Sequence, residues 1–298
     1  MPSFSKPLKI AVIGDIHNHW QEADNLALKH LGVDLVLFVG DFGNESVEIV
    51  RQIAGLSIPK AAILGNHDAW YTASAWGRKQ SPYDHRQEDR VQQQADLLGD
   101  CHVGYSKKDF PFLGLSVVGS RPFSWGGMKW KNHQFLQERY GVRDFEESRN
   151  KILTAVKQTK SETLIFLGHN GPQGLGGHAE AICGQDWEPI GGDHGDPDFA
   201  EAIAAAKVMG KQVPLVTFGH MHHQLRHRKD CLREMVKLDS NEVIYYNAAC
   251  VPRIREQAGQ RLRNFSIISW EENCVADISL LWLDDHYQTI SRRSLYSR

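Results

Sequence analysis

Five short turns gather aspartate, asparagine and histidine in combinations that suit divalent metal ions. They read Gly14-Asp15-Ile16-His17, Gly40-Asp41, Gly65-Asn66-His67-Asp68, Gly168-His169 and Gly219-His220-Met221-His222. Two divalent ions about 3.5–4 Å apart can polarise a phosphoryl group, acidify a bound water and stabilise both the attacking and the leaving oxygen. Such a site needs one carboxylate that can bridge both ions, with neutral imidazoles and oxygen donors completing each shell. A donor set of Asp, Asn and His without Cys suits manganese, iron or zinc. Asp15 and His17 are two residues apart at a strand end, where alternate side chains share a face, and His220 and His222 repeat the spacing. A single Gly-Asp or Gly-His pair is ordinary turn punctuation. Five of them at successive strand ends are not.

Apolar runs of strand type precede the turns, at 8–13, 35–39, 61–64, 164–167 and 213–218. Open α/β sheets place ligand sites at the carboxyl ends of such strands. The first third alternates strand and helix signals, with a helix over 22–31, which predicts βαβαβ and a parallel sheet with right-handed crossovers. Residues 69–99 turn polar and aromatic before a Gln-rich helix. A strand at 113–119 leads into a Gly- and Trp-rich loop at 120–130 and a polar helical segment over 135–157. A long loop between 171 and 198 is dense in Gly, His and Asp, and irregular segments of that length in a compact domain are usually functional or disordered. A helix over 199–209 follows. Past residue 240 the pattern is purely β, with strands at 243–246, 265–270 and 275–282, the last two forming a hairpin.

Hydrophobic content of 41% and charged content of 23% are those of an ordinary globular protein. A net charge of -2 supplies no global basic field, so non-specific binding to nucleic acid or anionic membranes finds no support. No apolar leader with a cleavage site is legible, and no apolar run reaches membrane-spanning length. Five cysteines without a CxxC pair fit reduced thiols, so a cytoplasmic location is expected. Length alone suggests about two domains. Ligands scattered from residue 15 to residue 222 must nevertheless converge, so a single domain over 1–298 is expected, with loop insertions near 69–99, 120–160 and 172–198.

The five turns, in this order, resemble the signature of the calcineurin-like metallophosphoesterase superfamily over residues 8 to about 253. The resemblance implies an α/β fold, a four-layer αββα sandwich of two mixed β-sheets flanked by helices. It implies Asp15, His17 and His222 at one ion, Asn66, His169 and His220 at the other, Asp41 bridging, and His67 as the catalytic histidine. Two divalent ions are the implied cofactors, manganese first, with iron or zinc as alternatives. A metal-bridging hydroxide would attack phosphorus in line. His67, as an imidazolium, would bind a phosphate oxygen or protonate the leaving alkoxide, a role worth roughly 10²–10⁴ in rate. Tyr246-Asn247-Ala248-Ala249-Cys250 stands where the family has an Asn-containing turn, without its glycine. The insert at 179–198 and the loop from Arg121 to Gly127 also resemble an uncharacterised cyanobacterial and chloroplast branch, which would place a mature plastid form in the stroma.

Beside the signature stand lesser candidates. Asp68 is read as a catalytic-site carboxylate that orients a neighbouring imidazole, or else as a turn or cap residue. Arg121 and Trp125 lie on a Gly-rich loop that could supply a phosphate clamp and a stacking face, the alternative being a loop packing its own aromatics. Asp193, His194 and Asp196 could hold a further cation or simply turn the chain. Trp70, Tyr71 and Trp76 could wall the substrate. His19 reads as solvated and His223 as structural. Protein phosphatases of the superfamily carry an arginine soon after the second turn, and Gly40-Asp41-Phe42-Gly43-Asn44-Glu45-Ser46 has none. The expected substrate is therefore a phosphorylated small molecule or nucleotide, cleaved as a mono- or diester, with no protein partner indicated. A nuclease, or a non-catalytic scaffold on the same fold, are the rival readings.

Overall fold

Alternation along the first strands decides the layering. In β1 (Leu8–Ile13), Leu8, Ile10 and Val12 enter one core while Ala11 and Ile13 enter another. β2 (Leu35–Phe38) divides the same way, Leu35 and Leu37 against Val36 and Phe38. Strands buried on both faces read as unbroken apolar runs, which is why these stretches show no polar alternation.

The computed structural model describes residues 7–298. Helix α1 (Glu22–His30) connects β1 to β2, and α2 (Val47–Ala54) connects β2 to β3 (Lys60–Ala62), all three strands running parallel. After α3 (Ala75–Lys79) and α4 (Arg90–Leu98) the chain builds a second sheet. Its strands are β4 (Lys107–Phe110), β5 (Leu115–Gly119), β6 (Thr163–Leu167), β7 (Gln212–Phe218), β8 (Val236–Leu238) and β9 (Ile244–Asn247). Between them run α5 (His133–Tyr140), α6 (Phe145–Lys157) and α7 (Pro197–Val208). The chain then returns to the first sheet with β10 (Ile254–Gln257), β11 (Gln260–Glu271), β12 (Cys274–Leu283) and β13 (Thr289–Ser297). The first sheet is ordered β13-β12-β11-β1-β2-β3 with β10 on β11, and the second β4-β5-β6-β7-β9-β8.

One core lies between the sheets, where Ile10, Leu37 and Ile268 meet Val117, Ile165, Leu215 and Tyr246. The outer face of the first sheet packs on Leu28 of α1, Val50 and Ile53 of α2 and Val91 of α4. The outer face of the second packs on Ile152 and Val156 of α6 and Phe199 and Ile203 of α7. The result is the expected α/β sandwich of two mixed sheets with flanking helices. Among the described residues no helix is long and apolar enough to cross a membrane, and all five cysteines are unpaired.

Two features depart from expectation. The helical segment over 135–157 is two helices, because Gly141 takes a left-handed φ of 67° after α5 and Asp144 caps α6 by accepting the Glu147 N–H at 2.8 Å. Strands β4 and β13 lie at sheet edges and went unread. An edge strand buries few side chains, and Lys107, Lys108, Arg292 and Arg293 blunt these edges against further pairing at the cost of the apolar signal.

Candidate metal centre

All five turns leave the carboxyl ends of parallel strands: Asp15 and His17 after β1, Asp41 after β2, Asn66 and His67 after β3, His169 after β6, and His220 and His222 after β7. Backbone bonds tie them across the sheets. The Asp15 N–H donates to Gly40 O at 3.1 Å and the Gly219 N–H to His169 O at 2.8 Å, while the His220 N–H donates to the Asp15 carboxylate at 3.1 Å. Asp15, His17, Asp41 and His220 hold positive φ angles of 50°, 45°, 56° and 66°. Each such non-glycine residue costs on the order of 1–3 kcal/mol and persists only where its surroundings fix it. The neighbouring glycines act mainly by permitting contact, since a Cβ on Gly65 would lie 2.4 Å from Asp41 Oδ1 and one on Gly219 2.4 Å from Asp15 Oδ2. Of the five turn glycines only Gly40, at 94°, itself holds a positive φ.

The side chains converge in three groups whose donor atoms lie within 4.8 Å of one another: Asp15 with His17 and His222, Asp41 with His169 and His220, and His17 with Asp41 and His67. Asp41 belongs to two of them. Asn66 joins the second group, its Oδ1 2.8 Å from His169 Nε2.

Donor chemistry tests whether cations fit. His169 Nδ1 lies 2.7 Å from the Val39 carbonyl, so that nitrogen is the N–H donor and Nε2 carries the lone pair. Nε2 nevertheless faces Asn66 Oδ1 at 2.8 Å and Asp41 Oδ1 at 3.3 Å. His17 Nε2 and His222 Nε2 face each other at 3.4 Å, and His222 Nε2 is 3.4 Å from Asp15 Oδ1. Lone pairs aimed at one another repel unless a positive charge lies among them. A ring N–H given to a backbone carbonyl is the usual way a protein sets a metal-binding imidazole. The residues present fit divalent cations.

Burial pushes the Asp41 carboxyl well above its ordinary pKa, and the Asp15 charge adds to it. Burial would raise Asp15 too, but the His222 hydrogen bond and the surrounding imidazoles carry it below the usual carboxylate range. Burial lowers His17 and His220. Burial, with His17 and His169 nearby, pushes His67 down to about 3. At neutral pH the free His67 ring is therefore uncharged, and it must take up a proton before it can act as the imidazolium that the resemblance implies. Its Nδ1 is 2.6 Å from Asn44 Oδ1 and its Nε2 4.0 Å from Asp41 Oδ2, and its ring stacks on Trp70 with centroids 4.5 Å apart.

Asp68 is corrected from a catalytic-site residue to a positioning one. Its side chain is fully buried and accepts backbone N–H groups from Asp41 at 3.0 Å, Phe42 at 2.9 Å and Gly65 at 2.7 Å. It orients no imidazole. It locks the second and third turns together, and burial raises its pKa along with the charge of Asp41.

Arg121 is corrected as well. The guanidinium is buried, 2.6 Å from Asp196 and 3.0 Å from Asp198, with Trp130 against it, so it has no reach into the centre and clamps no phosphate. Asp196 Oδ1 is thereby taken, Asp193 accepts the Gly174 and Gly195 N–H groups, and among the described residues the 193–196 run forms no group of donor atoms that could hold a cation. Arg121→Met should strand two buried carboxylates and cost about 3–5 kcal/mol. Urea unfolding should show that loss with KM unmoved, and a raised KM at wild-type stability would restore the clamp.

Trp125, by contrast, borders the centre. It lines a cavity of about 260 Å³ shared with His220 and His222, and sits 5.6 Å from Trp70. His223 is structural, giving Nε2 to Asn247 O at 2.9 Å. Asn247 in turn donates to Met221 O and accepts the Ala249 N–H, so it secures the last ligand turn without the missing glycine. Asn44, which holds the His67 ring, carries no sequence signal beyond that of a turn residue. Lys131, Trp187 and Arg226, also on the cavity, carry no sequence signal because they come from three separate loops.

A sequence model described as calcineurin-like phosphoesterase matches residues 8–224 of the 298. Among solved structures, a Thermus thermophilus protein is 12% identical, with 97% of this chain and 100% of that chain covered and a TM-score of 0.49. A dimetal phosphatase from Danio rerio is 12% identical, with 99% and 100% covered and a TM-score of 0.49. A purple acid phosphatase from yellow lupin seeds is 13% identical, with 99% of this chain and 54% of that chain covered and a TM-score of 0.46. No curated protein matches.

Proposed function

This chain belongs to the calcineurin-like phosphoesterase family, and we propose that it hydrolyses the phosphate ester of a small molecule or nucleotide at a centre of two divalent cations. The observation that carries this is the convergence of ring-nitrogen and oxygen lone pairs in two groups that share Asp41. Asp15, His17 and His222 would hold one cation, Asn66, His169 and His220 the other, with Asp41 common to both and manganese, iron or zinc suited to the donors. When bound, such cations withdraw charge from phosphoryl oxygens and acidify water at the centre.

The chain's own contribution lies around that centre. Asn44 accepts the Nδ1–H of His67, which leaves Nε2 as the position facing the cluster. There the ring can take a proton from the attacking water and return it to the leaving oxygen, a step general acid–base catalysis values at roughly 10²–10⁴. Trp70 stacked on the ring fixes its plane and excludes water from that side. A small ester suits the cavity better than a folded phosphoprotein. Glu45, in the stretch where an arginine would grip a phosphoprotein, is instead buried and accepts the Tyr71 and Thr72 N–H groups and the Tyr83 hydroxyl.

Metal analysis of the protein after manganese, iron or zinc supplementation, with hydrolysis of p-nitrophenyl phosphate, bis-p-nitrophenyl phosphate and a nucleotide panel, tests the reading. About two ions per chain and ester cleavage abolished by chelation are expected. Metal-loaded protein that cleaves none of these esters, nor any of a panel of sugar monophosphates and bisphosphates, would overturn it.

A further inference from the structure

The cavity beside His220 and His222 is flanked by Lys131 and Arg226, which belong to different loops. Each is held over an indole. Lys131 Nζ lies 5.5 Å from the Trp125 ring centroid and Arg226 Cζ 5.2 Å from that of Trp187. Among the described residues neither side chain forms an ion pair, whereas Arg228 meets Asp230 at 2.6 Å and Arg233 meets Asp186 at 3.2 Å. Asp186, the acidic residue on the same cavity, also accepts the Arg226 backbone N–H at 2.8 Å, so its carboxylate is committed to its own loop. His194, between the two indoles, gives Nε2 to Trp125 O at 2.9 Å and meets the Trp187 ring edge-on at 4.7 Å, which couples the two walls.

Two unpaired cations converging on one cavity favour an anion there. Indole faces hold such cations in place without neutralising them, as carboxylates would. We propose that Lys131 and Arg226, set on Trp125 and Trp187, form a second anion subsite, so that the substrate is a phosphate ester whose leaving group carries a further phosphate or carboxylate. The inference rests on the reading of the neighbouring cluster as the site that takes the scissile phosphate. It makes the substrate an anion at both ends, such as a sugar bisphosphate or a nucleoside bisphosphate, and makes simple aryl phosphates poor mimics of it.

The test measures binding without turnover. Manganese-supplemented protein is titrated calorimetrically with alkane-α,ω-diphosphonates of two to six carbons and with alkylphosphonates of matching length. At one spacer length the diphosphonate should bind at least about tenfold more tightly than its mono-anionic partner, as a charge-assisted contact implies. Lys131→Ala with Arg226→Ala should bring that ratio near one, while Lys131→Arg should retain it. Both side chains are exposed, so the variants should keep the wild-type melting temperature. No advantage at any spacer length, or an advantage that survives in the double variant, overturns the subsite. Protein that cleaves no ester yet shows the advantage would overturn the phosphoesterase reading and leave the subsite standing.

Discussion

His67→Ala is expected to lower turnover by about 10²–10⁴ with both metal positions still filled. The separation of effects follows from where the ring is held. The His67 backbone N–H donates to Asp41 Oδ1 at 2.9 Å, and that bond survives truncation of the side chain, so the shared carboxylate keeps its orientation. What is lost is the ring nitrogen that faces the cluster and the Asn44 bond that fixes its tautomer. Asn44→Ala should therefore give a smaller loss in the same direction, confined to kcat. Steady-state kinetics beside elemental analysis decides it. Wild-type turnover in the alanine variant removes His67 from the chemistry, and metal loss makes its role structural.

The legible part of this molecule was the part set by short-range rules. A strand buried on both faces followed by a glycine and a metal-binding side chain can be read locally, and the strand ends at Ile13, Phe38, Leu167 and Phe218 do deliver the residues named from sequence to one place. What could not be read depends on contacts across long stretches of chain. Arg121 lies in a loop of the kind that binds phosphate, but its carboxylate partners are some 75 residues away, and nothing near it in sequence shows that its charge is already taken. Asp68 follows His67 directly and invites a catalytic role. Its real partners are backbone N–H groups of two turns, which carry no side-chain signature. The polar edges of the sheets failed for the opposite reason, since a strand that buries little shows little periodicity.

Asp41→Asn should abolish occupancy of both metal positions, lowering affinity by more than about 10²-fold, beyond the ~10–100-fold typical of groups that merely support ligands. The amide keeps an oxygen able to accept the His67 N–H, so the turn should hold and the change isolates the charge. Sign matters for stability. Burial and Asp15 raise the Asp41 pKa above its unfolded value, so at neutral pH its ionised form costs the folded protein stability. Removing that charge should raise the melting temperature of metal-free protein. The stabilisation manganese gives the wild type, which grows with the logarithm of its concentration over Kd, should disappear in the variant. Opposite shifts of these two readouts distinguish a shared ligand from a residue that only holds the fold. Two ions still bound, with a wild-type thermal response to manganese, would remove Asp41 from the shared position.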